Sequence, residues 1–226
     1  MGRYLSQAPR VKKQQVFTVS GTFTPSPGLL AAGGVVEVRC VGGGGGGAIG
    51  HMGPGEKTVF SNSGGGGSGA DITRIVTITG PVTVLVGAGG TGGAWTGPPR
   101  TRHEPTDGGT TSFGNLVVAP GGKSGGKGIN NASAFGGGAG GPGGFHGEHY
   151  MYEYNTTKVG GNGGGPGGGL AGRSNMGPVH QTFMNGLPNS GGGGGGGGSG
   201  TEQDDGYLNV SSGHGGSGIC IVKWEE

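Results

Sequence analysis

A chain of 226 residues holds one domain, or one domain with an arm, and leaves no room for a second large one. Glycine (67) and proline (13) fill about a third of it, a share that in an aperiodic sequence marks low complexity. The formal net charge of only +2 excludes a chain held open by self-repulsion.

Residues 1–14 carry Arg3, Arg10, Lys12 and Lys13 with Pro9 and little apolar content, and read as an attachment arm ahead of a domain spanning 15–226. The polar, basic start predicts no secretory leader, and a loose match of the first six residues to a myristoylation pattern is discounted because Arg3 and Tyr4 follow Gly2. No apolar run reaches the ~20 residues of a membrane helix. The stretch QVFTVSGTF (15–23) alternates with period two, and after the turn signal Pro25-Ser26-Pro27-Gly28 the run VVEVRCV (35–41) alternates again. Val36, Val38 and Cys40 thereby share one face. Residues 72–79 and 82–86 flank Gly80-Pro81 and predict a hairpin. A shorter strand is expected within 110–120, and the closing GICIVKWEE puts Cys220, Val222 and Trp224 on one face.

Glycine-dominated tracts at 42–47, 64–69, 87–93, 136–144, 160–169 and 191–200 separate these strands. Apolar burial at about 25 cal/mol per Å² falls short of the ordering cost of so much glycine. Backbone hydrogen bonding between close-packed extended tracts is the alternative. In the polyproline II conformation, with three residues per turn and about 3.1 Å rise, N–H and C=O groups point outward, and glycine alone permits the close approach. The eight glycines at 191–198 would span roughly 25 Å. Collagen is excluded because the chain does not keep glycine at every third position. No window carries an apolar 3.6-residue stripe free of Gly or Pro, so essentially no α-helix is expected. The fold class is therefore mainly β, with polyglycine II helices packed in a sandwich or lattice.

On four segments in order, VFTVSGTFTPSPG running into VVEVRCVGGGGGG, VTITGPVTVLVGAGGTGG, GGTTSFGNLVVAPGG and GGSGICIVKWEE, the chain resembles the glycine-rich domain family of bacteriophage tail fibre and tail-tip adhesins. The resemblance runs from about Gln15 to the end. It implies a non-enzymatic adhesin in the virion, assembled in the host cytoplasm and carried on other phage tail or fibre proteins. A host-surface receptor, protein or polysaccharide, would be its ligand; a fibre-borne domain would be a homotrimer, the preferred assembly, and an apical adhesin a monomer. The unequal tracts and prominent strands depart from the tidiest such adhesins and favour a β-framed lattice. The arm carries no family pattern; its basic residues Arg3, Arg10, Lys12 and Lys13 are the candidates for virion attachment.

Segments between tracts are loops on a rigid frame, where binding residues concentrate. The receptor-binding candidates are Trp95, Arg100, Arg102 and His103; Phe145, His146, His149, Tyr150, Tyr152 and Tyr154; Arg173, His180 and Phe183; and Tyr207 beside Asp204 and Asp205. Aromatic rings with a polar handle suit recognition. The plain alternative is that each aromatic caps the end of the glycine lattice as a miniature core. The cluster 145–154 holds more aromatics than one lattice end can bury, which favours binding there.

His146, Glu148 and His149 are good metal ligands, but they lack the His-Glu-x-x-His spacing and a helix to present it, so no metal or other cofactor is expected. Gly122-Lys123-Ser124 mimics the end of a P-loop, yet Val117 stands where its first glycine belongs. No Arg-Gly-Gly repeat or strongly basic patch points to nucleic acid. A polysaccharide depolymerase needs two carboxylates at a defined separation, and only Asp204-Asp205 and Glu148/Glu153 lie close in sequence. The chain is therefore read as no enzyme. Regular Gly-x-x triplets, which an ice-binding bundle would want, are missing. A purely structural virion component of tail, collar or head fibre is the strongest rival. Cys40 and Cys220 lie on the first and last well-formed strands. They become neighbours if those strands pair, either as small buried apolar residues, favoured by a reducing cytoplasm, or as a closing disulfide.

Overall fold

The computed structural model describes residues 11–50, 58–59, 63–96, 101–126, 140–142, 145, 162–169, 185–196, 200–201 and 210–226. The alternating runs become the strands β1 (Lys12–Phe17), β2 (Gly21–Phe23), β3 (Val35–Val41), β5 (Asp71–Thr77), β6 (Val82–Leu85), β9 (Thr111–Phe113), β10 (Val117–Ala119) and β13 (Ile219–Glu225). Shorter strands are β4 (Thr58–Val59), β7 (Ala94–Thr96), β8 (Thr101–His103), β11 (Gly200–Thr201) and β12 (Val210–Ser211). One antiparallel sheet has the order β1-β13-β3-β5 and another the order β10-β9-β6-β2. Period-two side-chain alternation sends Val36, Val38 and Cys40 of β3, with Cys220 and Val222 of β13, into a core shared with Phe23, Val84, Phe113 and Val117 of the second sheet. The chain is thus mainly β.

The single helix among the described residues, α1 (Pro27–Ala31), is one turn long. Sequence reading left its site as a turn; Ser26 accepts a hydrogen bond from the Leu29 N–H (3.1 Å), Pro27 starts the turn, and Leu29 drops into the core. Gly33 and Gly34 end it with φ of 100° and 67°, conformations that side chains with a Cβ rarely adopt.

Two expectations need correction. The runs around Gly80-Pro81 do not form a hairpin. β5 pairs with β3 and β6 pairs with β2 and β9, so the turn carries the chain from one sheet to the other. The first strand also begins three residues before the expected domain start. Lys12 and Lys13, assigned to the arm, sit in β1 opposite Glu225 and Trp224. Lys12 Nζ lies 3.9 Å from Glu225, and Lys13 bonds the Glu226 carboxylate, which also accepts from Ser26 Oγ. Opposite charges across a strand pair, invisible in a sequence separation of 213 residues, draw the basic segment onto the sheet. Arg3 and Arg10 lie outside the described residues.

The glycine tracts pack beyond the sheets around the run 42–48, in which every N–H donates with a three-residue period. Gly42, Gly45 and Ala48 donate to Ala70, Gly67 and Gly64; Gly43 and Gly46 to Gly109 and Thr106; Gly44 and Gly47 to Gly216 and Gly213, all at 2.8–3.0 Å. These three neighbours run antiparallel to it. Three parallel neighbours donate back: Gly122 and Gly125 to Gly43 and Gly46, Gly90 and Gly93 to Gly44 and Gly47, and Gly194 to Gly45. Six runs therefore surround one, meeting it with a three-residue period. A Cβ built on any residue from Gly42 to Gly47 would fall on a backbone carbonyl oxygen of a parallel neighbour, which is why these positions are glycine.

Candidate functional site

Runs 42–48, 87–93 and 120–126 leave the sheets from β3, β6 and β10, while 64–70, 106–109 and 213–216 return to β5, β9 and β13. Strands β4, β7, β8, β11 and β12 belong to the crossovers between outward and returning runs, so they gather at the end of the lattice away from the sheets. This tip is the candidate site.

At the tip, β12, β7 and β8 form a three-stranded sheet in which Trp95 pairs with Arg102 on one side and Val210 on the other. The Trp95 indole N–H donates to the Gly50 carbonyl (3.0 Å), and the Arg102 guanidinium lies 5.9 Å from the centre of the indole ring, within cation–π range. Arg102 also reaches the Ile49 carbonyl (3.5 Å) and has Nε 3.3 Å from Glu104, a contact that lacks hydrogen-bond geometry. His103 Nε2 sits 3.1 Å from Thr96 Oγ1. The structure therefore brings Trp95, Arg102 and His103 together, and it turns the polar groups of the first two onto the end of the central run.

Phe145 stands elsewhere. Its backbone exchanges hydrogen bonds with Ser68 (2.7 and 2.9 Å), close to where the run 64–70 re-enters the sheets, and the residue is 58% exposed. The remaining candidates, Arg100, His146, His149, Tyr150, Tyr152, Tyr154, Arg173, His180, Phe183 and Tyr207, lie outside the described residues, as do Glu148, Glu153, Asp204 and Asp205. The segments holding Arg100 and Tyr207 are each flanked by tip strands. Among the described residues, no three His, Cys, Asp or Glu side chains are grouped to hold a metal ion.

Sequence reasoning missed the polar side chains that seal the lattice. Ser212 is buried with its hydroxyl within hydrogen-bond reach of the Gly47 and Gly93 carbonyls; His214 Nδ1 accepts from the Gly92 N–H (3.0 Å). Their signal was position: each borders a glycine of a returning run. The P-loop mimic proves to be part of this sealing. Asp107 accepts from Lys123 Nζ (2.7 Å) and from the Ser124 N–H (2.8 Å), tying run 106–109 to run 120–126. Partial desolvation pushes the Asp107 carboxyl up, but the Lys123 and Ser124 bonds outweigh it and hold it below its ordinary value of 3.8. A carboxyl depressed in the folded state stabilises above its unfolded pKa and loses that contribution as pH falls through the folded one. Melting curves between pH 7 and pH 2 should show Asp107→Asn destabilised by about 0.2–1 kcal/mol at neutral pH, the scale of a largely exposed pair, with the difference vanishing at the acid end. A variant that tracks the parent at every pH would remove Asp107 from the lattice's support.

No curated protein matches the chain at significant similarity. A family described as a glycine-rich domain matches residues 18–225, almost the whole chain, with every strand after β1 and every run described above. The chain belongs to this glycine-rich domain family.

Proposed function

We propose that the protein is a bacteriophage tail fibre or tail-tip adhesin that binds a host-surface receptor, protein or polysaccharide, through loops displayed on the glycine lattice. The observation that carries this reading is the polarity of the frame: the sheets close one end, and the crossovers between outward and returning runs collect at the other. A stiff spacer of backbone hydrogen bonds holds loops far from the sheets at little conformational cost, which is the arrangement a binding surface needs. In this reading the chain resides in the virion and joins other tail or fibre proteins through the residues ahead of β1, which carry Arg3 and Arg10.

The engagement of Trp95 and Arg102 with Gly50 and Ile49 favours a second reading, in which tip side chains only cap the lattice and the protein is a structural virion component. Binding separates the two. Labelled protein should bind intact host cells saturably and compete with phage adsorption. Replacing Tyr150, Tyr152 and Tyr154 together by alanine should weaken that binding about tenfold or more without changing the melting temperature. A folded protein that neither binds nor competes would establish the structural reading instead.

A further inference from the structure

We propose that Cys40 and Cys220 form an oxidisable pair that closes into a disulfide when the folded protein meets a peroxide, stapling the strand that launches the first glycine run to the strand that ends the last. In β3 and β13 the two residues stand directly opposite each other, and their sulfur atoms are 3.6 Å apart, both free and both buried in the core. Directly opposed residues of antiparallel strands have Cα atoms about 4.5–5.5 Å apart, inside the range a disulfide accepts. Both side chains point to the same face of the sheet, so closing the sulfur gap needs side-chain movement and no change of register.

The pair is also chemically polarised. The Cys40 thiol donates to the Cys220 sulfur, so the shared bond and burial hold Cys40 as the protonated partner, while the same bond draws Cys220 down toward thiolate. Cys220 is therefore the nucleophile. Its thiolate attacks one peroxide oxygen: an S–O bond forms, the O–O bond breaks, and the departing hydroxide takes a proton to become water. The Cys40 sulfur then attacks the Cys220 sulfenic acid. An S–S bond forms, the S–O bond breaks, and the leaving hydroxide takes the Cys40 proton as a second water. Two thiols give up two electrons and one peroxide accepts them.

Burial selects the oxidant. β13 has only β1 between it and the sheet edge, so transient opening there admits a molecule near the size of water and keeps out a bulky disulfide. The bond would close a loop between residues 180 apart in sequence, where cross-linking constrains the unfolded chain strongly.

The test uses the full chain, purified under reductant and treated with dilute hydrogen peroxide. After quenching, the protein is unfolded with iodoacetamide present, digested and weighed as peptides. The expected product is one peptide pair joined through Cys40 and Cys220, unalkylated and separated by dithiothreitol. Its melting temperature should rise by roughly 5–15 °C over the reduced protein. In Cys40→Ala, peroxide should give no joined peptide and no such rise. Alkylation of both cysteines after treatment, oxygen addition with no joined peptide, or an equal rise in Cys40→Ala would each overturn the proposal.

Discussion

Gly46→Ala is expected to lose at least ~4 kcal/mol of stability and to show no cooperative melting transition by circular dichroism. The added Cβ would fall on the Thr91 carbonyl oxygen, which already accepts the Thr106 N–H at 3.0 Å. Relief requires moving the run 87–93 outward, and that stretches the bonds from Gly90 to Gly44 (2.8 Å) and from Gly93 to Gly47 (3.0 Å). Because the central run is enclosed on six sides, no free direction remains. Gly80→Ala is the matched control. A Cβ there meets nothing within 4 Å, and its cost should stay within about 0.5 kcal/mol. If the two variants melted alike, the runs would have to slide apart freely, and the lattice would not be what holds the chain.

Phe23→Ala is expected to cost about 3–5 kcal/mol, read from guanidinium unfolding. Its fully buried ring sits edge-on to Trp224, with centroids 5.3 Å apart, and tilted against Phe113 at 5.8 Å. Through these three rings β2 and β9 of one sheet touch β13 of the other, so the cavity opens where the two sheets meet. The apolar core is small, and few neighbours can shift to fill the space. A loss below ~1 kcal/mol would mean that the sandwich adds little to what the glycine runs already supply.

Strand parity was the part most plainly written in the sequence. Period-two alternation placed Val36, Val38 and Cys40 on one buried face and Cys220 and Val222 on another, and the structure sets those faces side by side with the two thiols adjacent. Partner choice was not written there. Gly80-Pro81 reads the same whether the chain folds back on itself or crosses to a second sheet, and the outcome turns on β3, β2 and β9 offering pairing surfaces from elsewhere in the chain. Which glycine tract lies beside which was equally hidden, since glycines are interchangeable. The strands at the foot of each run fix that register. At the tip, Trp95 and Arg102 were legible as crossover residues by type, whereas their half-buried places in β7 and β8 and their bonds to Gly50 and Ile49 depend on where the central run ends.

The enclosure of residues 42–48 sorts the chain into two classes of position. From Gly42 to Gly47 each site admits one residue, because its surroundings are main chain with no side chain able to yield. In the crossovers the described constraints are looser: short strand pairs and the contacts of Trp95 and Arg102 with Gly50 and Ile49. Unlike the core between the sheets, this lattice has no graded interior in which a change at one place must be balanced by repacking at another. Its crossovers, bounded by glycine runs, are the segments in which a change in length or composition leaves the central run's enclosure untouched.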